Sequence, residues 1–199
     1  MPKNSSGYLR EDWQKHYDEK DLRWDIGQVS PPFVRLWEKG LFQKGSMLIP
    51  GCGAGHEVVY FADKGVDVTA VDFTDGAVSC LKQSLDEAEV DILKIDFFEI
   101  PARYDNHFDF MLEQTFFCAI HPDRRQDYVK TAHRVLKLGG KLVALFYETG
   151  EEGGPPYNTN PDQVQKEFAS FFKIEELEKT PHSIERRQGK EWLGILLKQ

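Results

Sequence analysis

The sequence has little of what would mark a specialised class of protein. Its 199 residues carry three cysteines, Cys52, Cys80 and Cys118. No two of them form a CxxC pair and three cannot all pair within one chain, so neither a zinc site nor a disulfide framework is indicated and the thiols read as reduced. Positive charge is in deficit, with 25 Lys and Arg against 33 Asp and Glu and a formal net charge of −8. Affinity for nucleic acid comes from cations that neutralise phosphates, so this balance argues against a nucleic-acid partner. No stretch approaches the roughly 18 consecutive apolar residues of a membrane span, and the polar opening Met1-Pro2-Lys3-Asn4-Ser5-Ser6-Gly7 lacks the apolar region of a secretory signal. A cytoplasmic protein with a small-molecule substrate and no membrane partner is the expectation. The histidines His16, His56, His107, His121, His133 and His182 show no metal-ligand spacing, and no metal is expected. Repeats, low-complexity tracts and linkers are also missing.

What is present is a globular composition, 40% hydrophobic with 14 Phe, and a regular alternation of patterns. The apolar run Met47-Leu48-Ile49 leads through glycines into the helical pattern of Val58 to Ala62. Val66 to Val71 reads as a strand, and Gly76 to Leu85 as a helix with Ala77, Val78, Leu81 and Leu85 on one face. Further strands fall at Val90 to Ile95, Phe108 to Leu112 and Lys141 to Tyr147, with a helix from Arg124 to Leu136 ended by Gly139-Gly140. Pro161 to Phe172 reads as a helix, and Lys173 to Leu177 with Trp192 to Leu197 as a closing antiparallel hairpin. The pattern predicts one α/β domain over 1–199, a mostly parallel seven-stranded sheet with helices on both faces. Residues 1–44, with short helices at Leu9 to Tyr17 and Pro32 to Lys39, are expected to cap the site.

Chemistry concentrates after the first strand. In Pro50-Gly51-Cys52-Gly53-Ala54-Gly55, missing side chains let a ligand approach the backbone and the following helix N-terminus. The G-x-G-x-G spacing departs from the dinucleotide fingerprint, which weakens a nicotinamide cofactor and with it an oxidoreductase reading. Asp72 ends the second strand, where a carboxylate accepts from both hydroxyls of a ribose; a tight turn and a helix cap are the alternative uses of these residues. At the third strand's end, Asp96 is placed to accept from an adenine amino group while Phe97 packs on the ring. Glu113, at the end of the fourth, is a candidate for the cofactor's amino-acid part or the border of the substrate.

The sequence resembles the thiopurine S-methyltransferase superfamily, and within it the halide/thiol methyltransferases. The resemblance rests on Trp24-Asp25-Ile26-Gly27, Leu48 to Gly55, Val71-Asp72, Asp96-Phe97-Phe98, Thr115-Phe116-Phe117-Cys118-Ala119, Leu136-Lys137-Leu138-Gly139-Gly140 and Gly153-Gly154-Pro155-Pro156-Tyr157. It implies a Rossmann-like class I methyltransferase fold, S-adenosylmethionine as cofactor, and a cofactor site lined by Trp24, Gly51, Asp72, Asp96, Phe97 and Glu113, with Gly53 in the same loop. The expected reaction is in-line transfer of a methyl group to a small soft nucleophile such as a thiol, bisulfide, halide or thiocyanate, for which positioning suffices and no catalytic dyad is needed. A thiopurine acceptor and a non-catalytic cofactor-binding protein remain open. Glu148 to Asn158 reads as part of a lid, and Tyr157, Tyr147 and Tyr17 are candidates for the substrate pocket. The fourth strand ends in Glu113-Gln114-Thr115-Phe116 and not in the Asn-Pro-Pro-Tyr of amine methyltransferases, so an amino group on DNA or protein loses support.

Overall fold

The computed structural model describes residues 7–85 and 89–199; the opening residues Met1 to Ser6 lie outside it. The order of elements is α1 (Arg10–Asp18), α2 (Pro31–Glu38), β1 (Ser46–Pro50), α3 (His56–Ala62), β2 (Asp67–Val71), α4 (Asp75–Ser84), β3 (Asp91–Leu93), β4 (Phe108–Gln114), α5 (Arg125–Val135), β5 (Leu136–Tyr147), α6 (Pro161–Phe168), β6 (Phe172–Lys179) and β7 (Glu191–Lys198). The strands form one seven-stranded sheet in the order β3-β2-β1-β4-β5-β7-β6. β1 to β5 run parallel, and β7 enters antiparallel between β5 and β6. The chain winds outward from β1 to β3 and then crosses back to β4 on β1's other side. That reversal opens a crevice at the carboxyl ends of β1 and β4, where sheets of this kind bind ligands.

Alternation along the strands divides the core between two faces. Met47, Ile49, Leu112 and Val143 pack with Phe33, Leu36, Val58 and Phe61 of α2 and α3 on one side. Leu48, Met111, Leu142 and Ala144 meet Tyr128, Val129, Ala132 and Phe168 of α5 and α6 on the other. Burial on both faces is why β1 reads as an unbroken apolar run. Helix starts follow local chemistry: Thr74 Oγ1 accepts the Ala77 N–H at 3.2 Å, and Asn160 exchanges hydrogen bonds with Gln163 ahead of α6.

Strand pairing moves several boundaries from the sequence pattern. α5 ends at Val135 because Leu136 already pairs with Phe108 as the start of β5. Gly139-Gly140 therefore ends no helix: it lies in β5, opposite a register shift in β4. A side chain at Gly140 would sit 2.9 Å from the Lys137 carbonyl and 3.0 Å from that of Phe108. α6 stops at Phe168, since Phe172 opens β6 by pairing with Lys198. The described part of the expected cap, residues 7–44, serves two ends: α2 buries Phe33 and Leu36 in the core, while α1 buries no residue and lies over the crevice.

Candidate active site

The loops after β1 and β4 meet at the crevice. Gly51 and Gly53 have φ of +59° and +54°, a left-handed backbone that disfavours side chains. A Cβ on Gly51 would collide with the Phe116 ring, whereas one on Gly53 would find Tyr17 Oη at 3.6 Å and Trp24 Nε1 at 3.9 Å. Gly53 thus keeps open a narrow space between the loop and the aromatic rings above it. Beside it, Asp72 accepts the Thr74 N–H at 2.9 Å and hydroxyl at 2.8 Å on Oδ1, and the Gly53 N–H at 3.2 Å on Oδ2. Desolvation nevertheless raises its carboxyl above the ordinary value. Oδ2 carries a single protein donor and has capacity for a ligand's hydroxyls.

A cavity of about 560 Å³ spreads from this point, within the usual range for small-ligand sites. Asp72, Asp96 and Phe98 line one end; Thr115, Cys118, Tyr147 and Pro156 line the other; Trp13, Tyr17 and Trp24 close over it. Asp96 accepts the Phe98 N–H at 3.1 Å, and its other oxygen lies 3.8 Å from Arg124, whose guanidinium stacks 3.8 Å above the Phe98 ring. Phe97 borders the cavity but is only 2% exposed, with its ring packed edge-on against Phe98 and Phe116. Phe98 is the more open ring of the pair.

The aromatic roof is tied down at both ends. On α4, Arg10 pairs with Asp75 at 2.8 Å, Gln14 accepts the Gly76 N–H at 3.0 Å, and Tyr17 occupies the space that a side chain on Gly76 would need. From the turn before β7, Arg187 donates to the Trp24 carbonyl at 2.6 Å and pairs with Glu191 at 3.1 Å, while Arg186 donates to the carbonyls of Arg23 and Asp25. Sequence pattern did not single out Arg186, Arg187 or Trp13, all of which line the cavity. No motif marks them, because they reach the site from opposite ends of the chain.

Of the residues expected at the site, the fold brings Trp24, Gly51, Gly53, Asp72, Asp96, Phe97, Tyr17 and Tyr147 to one cavity, and leaves two off its lining. Glu113 is 1% exposed, accepting the Phe116 and Phe117 N–H groups at 2.9 and 2.8 Å and the Tyr128 hydroxyl at 2.9 Å. It lies beneath the turn after β4 and shapes it. Burial pushes its carboxyl up to about 7. Tyr157 packs edge-on against His121 at 5.4 Å, and its neighbours Pro155 and Pro156 line the cavity instead. Tyr17 stands over the Gly53 end, where burial first and the nearby Asp72 charge second keep its phenol protonated.

A glycine-lined approach, a carboxylate with spare acceptor capacity and an aromatic roof at the switch point of this sheet fit a nucleoside, in a chain whose fold and relatives are those of class I S-adenosylmethionine-dependent methyltransferases. Among solved structures, a 1,6-didemethyltoxoflavin-N1-methyltransferase from Burkholderia thailandensis holding S-adenosylhomocysteine shares the fold at a TM-score of 0.75, with 19% identity over 96% of this chain and 87% of that one. The thiopurine S-methyltransferase family model matches residues 9–195. Thiocyanate methyltransferase 1 of Arabidopsis thaliana is 34% identical over 92% of this chain and 82% of its own length. Probable thiol methyltransferase 2 of the same plant is 33% identical over 98% and 86%, and a thiopurine S-methyltransferase of Pseudomonas paraeruginosa is 25% identical over 84% and 85%. The chain belongs to the thiopurine S-methyltransferase family. Among the described residues, no helix is long and apolar enough to cross a membrane.

Proposed function

We propose that this methyltransferase acts on a small soft nucleophile, a thiol, bisulfide, halide or thiocyanate, by in-line displacement. The observation that carries the reading is the far side of the cavity from Asp72, where Tyr147, Cys118, Pro155 and Pro156 supply aromatic and apolar walls. Such walls strip water from a polarizable anion and leave it reactive. The similarity to a plant thiocyanate methyltransferase supports the same acceptor class.

When bound, S-adenosylmethionine supplies a methyl group on an electron-poor sulfonium. This chain's residues bind, orient and exclude water. Asp72 would accept from the ribose hydroxyls and Asp96 from the adenine amino group, Gly53 would admit the ligand to the backbone while Gly51 makes room for Phe116, and Trp24 and Phe97 would border it. Tyr147 borders the acceptor; Tyr17, over Gly53, belongs with the cofactor end. No base is required, because halide and thiocyanate arrive as anions and a thiol reacts as its thiolate. Cys118 does not compete as a nucleophile: burial pushes its thiol up to about 12, and it donates to the Thr115 carbonyl at 3.3 Å.

The test is turnover by the purified protein against iodide, bromide, bisulfide, thiocyanate, thiophenol and a thiopurine, with S-adenosylhomocysteine measured and volatile products identified. The reading expects S-adenosylhomocysteine only when an acceptor is added, and methyl iodide or methanethiol among the products. Turnover with the thiopurine alone would move the acceptor class; tight cofactor binding without turnover would remove catalysis.

A further inference from the structure

The loop between β5 and α6, residues 148–160, brings Pro155 and Pro156 to the cavity. Its two ends are held by the main chain: Glu148 N–H donates to Lys190 O at 2.7 Å, and Thr159 N–H to Tyr147 O at 3.0 Å. Between them Tyr157 N–H donates to Cys118 O at 2.6 Å, a first main-chain tie to the turn after β4, while the carbonyl side of the same stretch is held by a side chain. Arg125, 2% exposed, directs Nη2 at the carbonyls of Tyr157 and Asn158, at 3.4 and 3.1 Å, and at the Thr159 hydroxyl at 3.1 Å. Its guanidinium lies 4.6 Å from the centre of the Phe117 ring, in the turn after β4 that forms the facing wall.

Local structure does not account for this arginine. It is the first residue of α5, where the helix dipole disfavours a cation. Among the described residues no carboxylate lies within ion-pair distance of it, Glu167 acting on it only from farther away, and its Nε has no hydrogen-bond partner. A buried guanidinium without a contacting counter-charge is costly unless dipoles solvate it. Here the loop carbonyls and the Phe117 face supply that solvation, so movement of the loop would strand the charge. The loop and the arginine each need the other in place, and Phe117 extends the coupling to the wall opposite. Desolvation lowers the affinity of Arg125 for its proton, in keeping with a cation that has traded water for a few fixed dipoles.

We propose that Arg125 is the positioning residue for the methyl acceptor, clasping the 148–160 loop against the turn after β4 and so setting the width of the acceptor end of the cavity. The inference rests on the assignment of that end to the acceptor under the proposed function. It adds a residue that touches neither ligand and acts through the backbone of Tyr157 and Asn158.

The experiment uses the full chain with Arg125→Lys and Arg125→Met, iodide and bisulfide as acceptors, calorimetry with S-adenosylhomocysteine, and amide exchange of the 148–160 loop. Arg125→Met is expected to raise the acceptor KM by about tenfold or more, as loss of its charge-assisted hydrogen bonds implies. Cofactor-product affinity should stay within about twofold, and exchange should quicken in the loop while β2 stays protected. Arg125→Lys, which keeps the charge but loses the planar guanidinium over the Phe117 ring, should fall between Met and wild type. Unchanged acceptor KM with unchanged loop exchange would overturn the proposal, as would equal losses in cofactor and acceptor binding with exchange rising throughout, since that is a merely structural role. If the wild-type protein turns over no acceptor in the panel, the proposed acceptor class fails, and loop exchange in the two variants still decides whether Arg125 is the clasp.

Discussion

Replacement of Asp72 by Asn separates binding from folding, because the two effects have different sizes. In the folded protein Oδ1 already serves the Thr74 N–H and hydroxyl, and Oδ2 takes the Gly53 N–H. An amide keeps an oxygen for the Thr74 pair but turns an NH₂ group toward the Gly53 N–H, donor against donor. That loses one hydrogen bond, about 1 kcal/mol. The loss is offset by removal of a charge whose desolvation raises its pKa in the fold, a group that destabilises the ligand-free protein above the ordinary carboxylate value. The unfolding midpoint is expected within about 4 °C of wild type. Binding has no such offset: the amide has no free acceptor for the ribose hydroxyls, and charge-assisted hydrogen bonds contribute about 1.5–3 kcal/mol each. We expect affinity to fall by about 2–3 kcal/mol, roughly 30- to 150-fold in Kd. Calorimetry with S-adenosylhomocysteine on Asp72→Asn, with the exposed Asp63→Ala as control, measures it. A Kd within about threefold of wild type, in a protein that melts normally, would refute the ribose assignment.

Two further outcomes follow from the same geometry. Glu113 is held up to about 7 in the fold against 4.5 for the ordinary carboxyl, so the folded state binds a proton that the unfolded chain releases; its contribution to stability declines as pH rises through that window. Urea unfolding should therefore show wild type losing on the order of 3 kcal/mol relative to Glu113→Gln between pH 4.5 and 7, and parallel pH profiles would show that this carboxyl is not the group responsible. Gly76→Ala puts a methyl group where Tyr17 packs, while alanine improves α4 by up to about 1 kcal/mol. It should weaken cofactor binding and expose α1 to amide exchange without lowering the melting temperature, and retention of wild-type affinity would show that α1 docking does not matter for binding.

Local pattern carried the alternation of strands and helices, because periods of two and of 3.6 residues report which faces are buried. It also led to the residues at the mouth of the cavity: Gly51, Gly53 and Asp72 lie close together in the chain, and their backbone needs are written in residue type. Where it misled, a partner strand intervened. Gly139-Gly140 looks like a helix stop, yet it lies in β5 because Phe108 pairs with Leu136 and Phe110 with Lys141.

Side-chain direction was beyond the sequence, as Glu113 shows. Its position at the end of β4 was legible, but whether it points into the crevice or beneath the turn depends on Tyr128 of α5 and on two backbone N–H groups that the turn presents. The acceptor end was less legible still. Arg187 meets the Trp24 carbonyl across 163 residues of chain, and Arg125 meets the loop carbonyls across 32 and 33. Sequence by itself thus determined the fold class and the Gly51-Gly53-Asp72 side of the cavity, where neighbours in the chain are neighbours in space. Only the tertiary structure decided which distant side chains close its other side, since packing, and no local periodicity, brings them together.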